Sequence, residues 1–273
     1  INQTYKDFIW IVVDQGSTDH TKELIDKYIN ENKIEIKYIY QKNSGKHIAI
    51  NTALQNTNTE LFIIADSDDS FKDNALEVFV NEWDKIENKD KYKGIIARCY
   101  DNRDGKVIGR DFPQKIFDCN ELDANFKYKL GGEKWSLFQT KVLREFPFPK
   151  IDGLKFYPET IIWQKMSRKY VTRYIDIPLR EYYKDQENAI TNKNNNRSKE
   201  NIYLWEHLIN NVYDYFFYNP LLFIKAHVGL VRDGLANKYS FKKIISIPNN
   251  LYKKIVTFLL FPLGNILYKK KYR

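Results

Sequence analysis

At 273 residues, with 43% apolar and 29% charged side chains, the chain is long enough for one large α/β domain with an appendage and too apolar to be globally disordered. Lys and Arg number 44 against 35 Asp and Glu, and the formal net charge of +9 favours an anionic partner over a cationic one. Cys99 and Cys119 fit neither a metal-ligand spacing nor a disulfide framework, so a reducing compartment is expected.

Residues 8–13, FIWIVV, form a continuous apolar and β-branched run of the kind that makes a buried parallel strand. DQGSTD follows with good helix-capping types, and residues 20–32 place Leu24, Ile25, Tyr28 and Ile29 on one helical face. IEIKYIY (34–40) alternates as a strand, and residues 43–57 read as a turn leading into a helix. FIIA (62–65) reads as a third buried strand and 73–87 as a helix. Strand and helix in alternation predict a mostly parallel sheet with crossover helices, in which ligands sit beyond the carboxyl ends of strands. Asp14 and Asp66 both stand at such ends.

KGIIARCYD (93–101) predicts a fourth strand, with a hairpin turn around Asp104 and Gly105. Residues 157–170 predict a helix entered through Pro158, and 171–183 a strand that returns to the sheet. NAITNKNNNRSKEN (188–201) is polar and Asn-rich and reads as a boundary. Beyond it, 201–237 reads as aromatic-rich helix and 240–273 as basic amphipathic helix. The apolar run 255–268 is shorter than the ~20 residues a bilayer needs, and Pro262 is expected to break it. A basic helix with an apolar face suits an anionic membrane surface; the plain alternative is a helix packed on the rest of the chain with a solvated basic edge.

The stretch FIIADSDDSF (62–71) ends a buried strand in three carboxylates, Asp66, Asp68 and Asp69. Side chains two apart on an extended segment share a face, so Asp66 and Asp68 can converge. Converging carboxylates need a cation, protons or donors, and Mg²⁺ or Mn²⁺ binds well through one or two carboxylates plus substrate phosphates. A solvated Asp-rich turn explains the same residues. Asp14 either accepts a hydrogen bond from a nucleotide base or caps a turn. Gly45 permits a close backbone approach, with Lys46 beside it able to face a diphosphate or to stand as a surface lysine.

VVDQGSTDHT, KNSGKHIAINTAL and FIIADSDDSF resemble, in order and spacing, the nucleotide-sugar half of family 2 glycosyltransferases. The resemblance is clear over about residues 1–100 and looser to about 185. It implies a GT-A fold: a Rossmann-like mixed, mostly parallel α/β sheet flanked by helices. Residues 1–187 would form the catalytic domain, with 1–100 binding the nucleotide sugar and 101–187 the acceptor. A polar linker (188–200) and a helical basic extension (201–273) would follow. The family's first strand would precede INQTYKDF, so it is expected to be missing from this chain.

Carried over by position, Asp14, Gly45, Lys46 and Asp66 would bind the nucleotide sugar, and Asp66 and Asp68 the Mn²⁺ or Mg²⁺ ion. Gln15 stands where the family's second Asp is common. On the acceptor side, GGEKWSLFQTKVL (131–143) resembles the family's acceptor segment. It offers Glu133 for hydroxyls and Trp135 for a sugar face, although core packing is an equal reading of Trp135. The family's Glu-Asp pair is here Glu159-Thr160, and Glu159 is expected to be the base, since a threonine does not accept a proton at neutral pH.

The function implied is an inverting, metal-dependent transfer of a sugar from a UDP-sugar to a glycan or lipid-linked acceptor. Bacterial surface polysaccharide synthesis at the cytoplasmic face of the cell membrane is the expected setting. A nucleotidyltransferase would also use paired aspartates but shows no Gly-rich loop with Arg and Lys. A non-catalytic basic membrane- or nucleic-acid-binding protein accounts for the charge but leaves the aspartates at strand ends unexplained, so no nucleic acid is expected as a partner.

Overall fold

The computed structural model describes residues 1–183 and 197–272. The chain forms two compact units, Ile1–Lys155 with Ile162–Ala189, and Phe156–Ile161 with Ile190–Arg273. The linker expected at 188–200 lies largely outside the described residues.

The first unit opens with β1 (Ile9–Asp14), α1 (Thr21–Glu31) and β2 (Glu35–Tyr40). The two strands pair in parallel from Ile9↔Glu35 to Asp14↔Tyr40, as a right-handed crossover through a helix requires. Strand β1 is less buried than its apolar run implies. Ile9 and Trp10 are each 37% exposed, because β2 alone pairs with β1 among the described residues and the pair forms its own sheet. The opening residues are tied down instead against the turn that leads into a later helix: Thr4 N donates to Asp73 O (2.7 Å) and Gln3 Nε2 to Lys72 O (2.8 Å).

Next come α2 (Lys46–Gln55), β3 (Leu61–Ile63), β4 (Ser70–Phe71), α3 (Ala75–Asp84) and β5 (Tyr92–Asp101). The expected turn at Asp104 and Gly105 closes through Gly105 N to Asp101 O, at 2.9 Å. Then follow β6 (Ile116–Cys119), α4 (Glu121–Phe126), β7 (Lys134–Gln139), α5 (Thr140–Glu145), α6 (Glu159–Met166) and β8 (Val171–Tyr182). The second sheet runs β3-β7-β5-β8-β4, with β6 also on β8. The sheet is mixed, as expected, but less parallel than the strand-helix alternation suggests. Only the β5–β8 pair is parallel among these strands, since β7, β6 and β4 meet their neighbours antiparallel.

Strand β5 sits in the middle and is covered on both faces, which is why KGIIARCY reads as an apolar run without alternation. Ile95, Ala97 and Cys99 point to one side, into a core with Phe79 and Trp83 of α3, Trp135 and Leu137 of β7, and Ile175 and Leu179 of β8. Ile96 points the other way, against Phe112, Ala124, Leu130 and Tyr174. Helix α3 contributes Ala75, Phe79 and Trp83, spaced by four, as one buried stripe.

The second unit is helical: α7 (Ser198–Asn211), α8 (Pro220–Ala236), α9 (Phe241–Ser246) and α10 (Leu251–Tyr272). Asn219 caps α8 by accepting from Leu222 N at 3.3 Å, and Pro220 takes the first helical position, where a missing N–H costs nothing. Gly229 lets Trp205 of α7 lie against α8, and Trp205 Nε1 donates to the buried Asp233 at 2.8 Å. Helix α10 continues through Pro262 rather than breaking there. Pro262 is on the exposed side of the helix, where the carbonyl it leaves unbonded can reach water.

Replacing the fully buried Phe79 by Ala is expected to cost about 3–5 kcal/mol of unfolding free energy. Leu24→Ala, on the outer side of α1, should stay within about 0.5 kcal/mol. Urea denaturation of both variants checks this, and equal losses would contradict it.

Candidate active site

Strand β3 delivers the acidic turn. After Ile63 the chain leaves the sheet, Ile64 O accepts from Trp135 Nε1 at 2.8 Å, and Asp69 N closes a turn on Asp66 O at 3.2 Å. The turn gathers one carboxylate oxygen each from Asp66, Asp68 and Asp69 within 4.8 Å of one another. Two unit charges at that separation repel by roughly 3 kcal/mol at the effective dielectric of a protein surface. The structure offsets this with two cations. Lys46, the first residue of α2, places Nζ 2.6 Å from Asp66 Oδ1. Arg180 lies behind the turn, with Nη1 3.3 Å from Asp69 Oδ2 and 3.9 Å from Asp66 Oδ2.

Arg180 is placed by strand pairing. On β8 it lies opposite Phe71 of β4 and Cys99 of β5, so the strand brings a buried guanidinium under the end of the acidic turn. Its Nη2 donates to Glu133 Oε1 at 2.5 Å and its Nε to Cys99 Sγ at 3.3 Å. Burial works against the guanidinium's charge, yet Cys99, Glu133 and Asp69 around it hold its pKa above the usual value. Burial also pushes the Cys99 thiol up to about 11, so it stays protonated at neutral pH. Asp69 is raised above the ordinary carboxylate value: burial outweighs the attraction of Arg180 and the bond from Tyr183 N. Asp69 Oδ2 is buried and accepts no hydrogen bond from the described residues.

Asp14 ends β1 apart from this cluster. Its Oδ1 accepts from Ser17 N at 2.8 Å and its Oδ2 from the Tyr38 hydroxyl at 2.5 Å, while Gly16 adopts φ 84° to turn the chain. Burial raises the pKa of Asp14, but the bonds from Tyr38 and Ser17 outweigh it and leave the net value lowered. Tyr38 in turn is raised to about 12 by the same bond. The turn after Asp14 reaches the acidic cluster through the next loop. Ser44 N donates to Gln15 Oε1 (3.3 Å), and two residues on, Lys46 meets Asp66. Gly45, at φ 93°, is held by the chain itself: a Cβ there would come within 2.1 Å of Lys155 O.

The structure thus brings Lys46, Asp66 and Asp68 together with Asp69, Glu133 and Arg180. Glu133 sits with them because its carboxylate holds Arg180. Trp135 is in the core, stacked on Phe71 at 4.3 Å and edge-on to Phe79 at 5.3 Å. That is the packing reading of its sequence; a sugar has no access to a face covered by Phe71. Glu159 is the first residue of α6 and belongs to the second compact unit. The sequence pattern does not reveal Arg180, because nothing in PLREYY marks one residue of a strand as the counter-charge to a turn more than a hundred residues away.

The description "Glycosyl transferase family 2" matches residues 1–140. An uncharacterized glycosyltransferase of Rickettsia typhi is 30% identical over 175 residues, 61% of this chain and 51% of that protein. A teichoic acid poly(glycerol phosphate) polymerase of Staphylococcus epidermidis is 27% identical over 180 residues, 64% of this chain and 24% of that protein. The chain therefore spans about half or less of the length of these curated relatives. Among solved structures, residues 1–349 of TarS from S. aureus in complex with UDP align with a TM-score of 0.55 at 17% identity, covering 100% of this chain and 86% of that one. This likeness carries the GT-A fold.

Arg180→Met should destabilise the protein by roughly 3–5 kcal/mol in urea, since it leaves buried carboxylates without their counter-charge; a loss below about 1 kcal/mol would show that the guanidinium is dispensable. Asp14 provides a pH test. Its folded-state pKa is lowered, so its contribution is fully present above about pH 4 and is lost as pH falls through the folded value. Tyr38→Phe removes a donor, so stability at neutral pH drops and the loss on acidification becomes shallower. Denaturation midpoints from about pH 3 to about pH 7 measure this, and an unchanged acid slope would contradict it.

Proposed function

The chain belongs to glycosyl transferase family 2, and from that premise we propose that it moves a sugar, with inversion, from a nucleoside-diphosphate sugar to an acceptor hydroxyl. The observation that carries this reading is the convergence of Asp66, Asp68 and Asp69 at a strand end with Lys46 beside them. The donor set suits a hard divalent cation, being all carboxylate oxygen, and Asp68 of the set is exposed. Mn²⁺ or Mg²⁺ would be held by Asp66 and Asp68 and would supply charge stabilisation to the leaving diphosphate.

The chain's own residues then divide the work. Asp14 accepts from the nucleotide base, held in place by the bonds its carboxylate takes from Ser17 and Tyr38. Lys46 stands at the start of α2, where its charge and the first-turn N–H groups favour a phosphate, and Gly45 sets the loop that aims them. Arg180 and Glu133 keep the acidic turn in shape from below. Glu159 takes the proton from the acceptor hydroxyl as its oxygen bonds to the anomeric carbon. The bond from that carbon to the diphosphate breaks on the opposite face, so one displacement completes the transfer.

We take the donor to be a UDP-sugar and the acceptor a glycan or lipid-linked hydroxyl in a bacterial surface polymer. UDP bound to the structurally similar TarS and the surface-polymer activity named for the S. epidermidis relative support this choice. Cys99 and Cys119 are both free thiols, which supports a reducing, cytoplasmic setting.

Thermal-shift measurements with UDP, GDP and their sugars, with and without Mn²⁺, test the reading. UDP should raise Tm when Mn²⁺ is present, by the amount that binding to the folded state requires, and Asp68→Asn should abolish the rise. Glu159→Gln should keep the nucleotide shift while turnover falls about 10²- to 10⁴-fold. A nucleotide shift that needs no metal, or that survives in Asp68→Asn, would overturn the assignment of these carboxylates.

A further inference from the structure

Helix α10 carries apolar residues on its outward side as well as on the side that packs on its neighbours. The side turned inward presents Lys253, Thr257 and Gly264, with Leu260 and Phe261 partly buried beside them. Thr257 Oγ1 meets the buried His227 Nδ1 at 2.7 Å, and Gly264 lies so close to α8 that a Cβ would come within 2.5 Å of Val231. The side turned outward presents Leu251, Ile255, Phe258, Leu259, Leu263 and Ile266, at the spacing of one helical stripe. Leu251 is 74% exposed, Leu259 67% and Ile266 60%. From Leu251 to Ile266 the stripe runs about 22 Å, and Phe241 of α9 extends it sideways, its ring 6.1 Å from that of Phe258.

A stripe of this length on solvent marks an interaction surface. Its charge identifies the occupant. Lys242 and Lys243 stand exposed on α9, Lys254 beside the stripe, and Lys269, Lys270 and Lys271 exposed at its end. Between residues 240 and 273 there is no Asp or Glu. Attraction to the helix dipole accounts for lysines in the last turns of α9 and α10, but not for Lys242 near the start of α9, Lys254 in the first turn of α10, or the outward leucines. Two copies of the stripe set face to face would bring lysines against lysines, whereas an anionic lipid surface satisfies both the apolar residues and the charge. No described helix is long and apolar enough to cross a membrane.

We propose that the outward face of α10, with Phe241 and the lysines around it, lies in the interface of an anionic phospholipid bilayer. The helix rests parallel to the surface, its apolar stripe at the depth of the headgroup–acyl boundary and its lysines among the phosphates. This inference stands on the second unit alone and does not depend on the sugar-transfer reading.

Co-sedimentation of the full chain with phosphatidylcholine vesicles, with and without about 30% phosphatidylglycerol, tests it. Binding to the phosphatidylglycerol vesicles is expected, at least tenfold stronger than to neutral ones and weakened by salt. Leu259→Ser with Ile266→Ser should lower it at least tenfold, as should Lys269→Gln, Lys270→Gln and Lys271→Gln together. All five positions are exposed, so an unchanged circular dichroism melt should confirm that the variants fold. Absence of binding to anionic vesicles, equal binding to neutral ones, or a soluble dimer by analytical ultracentrifugation that Leu259→Ser dissociates would each overturn the proposal.

Discussion

Three carboxylates at the end of one short strand repel each other, and much of the first unit is arranged so that they can stay together. Lys46 reaches them from the start of α2, and Arg180 from near the end of β8. Arg180 is the more demanding of the two. A buried guanidinium is costly unless it is paired, and this one is surrounded by Asp69, Glu133 and Cys99. Its place follows from β8 running between β5 and β4, so the order of strands in the sheet and the electrostatics of the turn are one constraint. Asp69 shows the balance is incomplete, for its pKa is raised even with the guanidinium beside it.

That imbalance links fold to chemistry. A site already neutralised by internal cations would have little affinity for another. Here Asp68 is exposed, Asp66 is partly exposed and paired to a lysine, and Asp69 shares the single guanidinium of Arg180 with Glu133. A divalent ion arriving with a diphosphate would relieve the remaining repulsion, and Lys46 is placed where either Asp66 or a phosphate can use its charge. The loops that carry Asp14 and Gly45 lead to the same place, joined by the Ser44–Gln15 bond.

Local pattern made some of this legible. Helices α1, α2 and α3 and strands β1, β2 and β5 fall within a few residues of where periodicity puts them, because each has a one-sided stripe or a bounded apolar run. Short elements such as β4 and β6 were not legible, since two to four residues carry no period and form through pairing with β8. The depth of β1 was overestimated because an apolar run reports what a strand prefers, and its exposure depends on how many neighbours it has. A local rule makes Pro262 a break, whereas α10 runs on through it and packs on α8 through Gly264. Asp66, Asp68 and Lys46 could be picked out because they cluster in sequence or sit at a helix start. The pairing of Glu133 with Arg180 acts across the sheet, from 47 residues apart, so no short window shows that one holds the other.

The central claim is that the carboxylates of Asp66 and Asp68 hold a divalent cation against a nucleoside diphosphate. Anomalous diffraction at the manganese edge, from crystals of this chain grown with UDP and Mn²⁺, tests it most directly. The account predicts a single strong peak within bonding distance of an oxygen from each aspartate, with diphosphate density on its other side. A peak bound elsewhere, or ordered UDP with no peak between those two side chains, would contradict it.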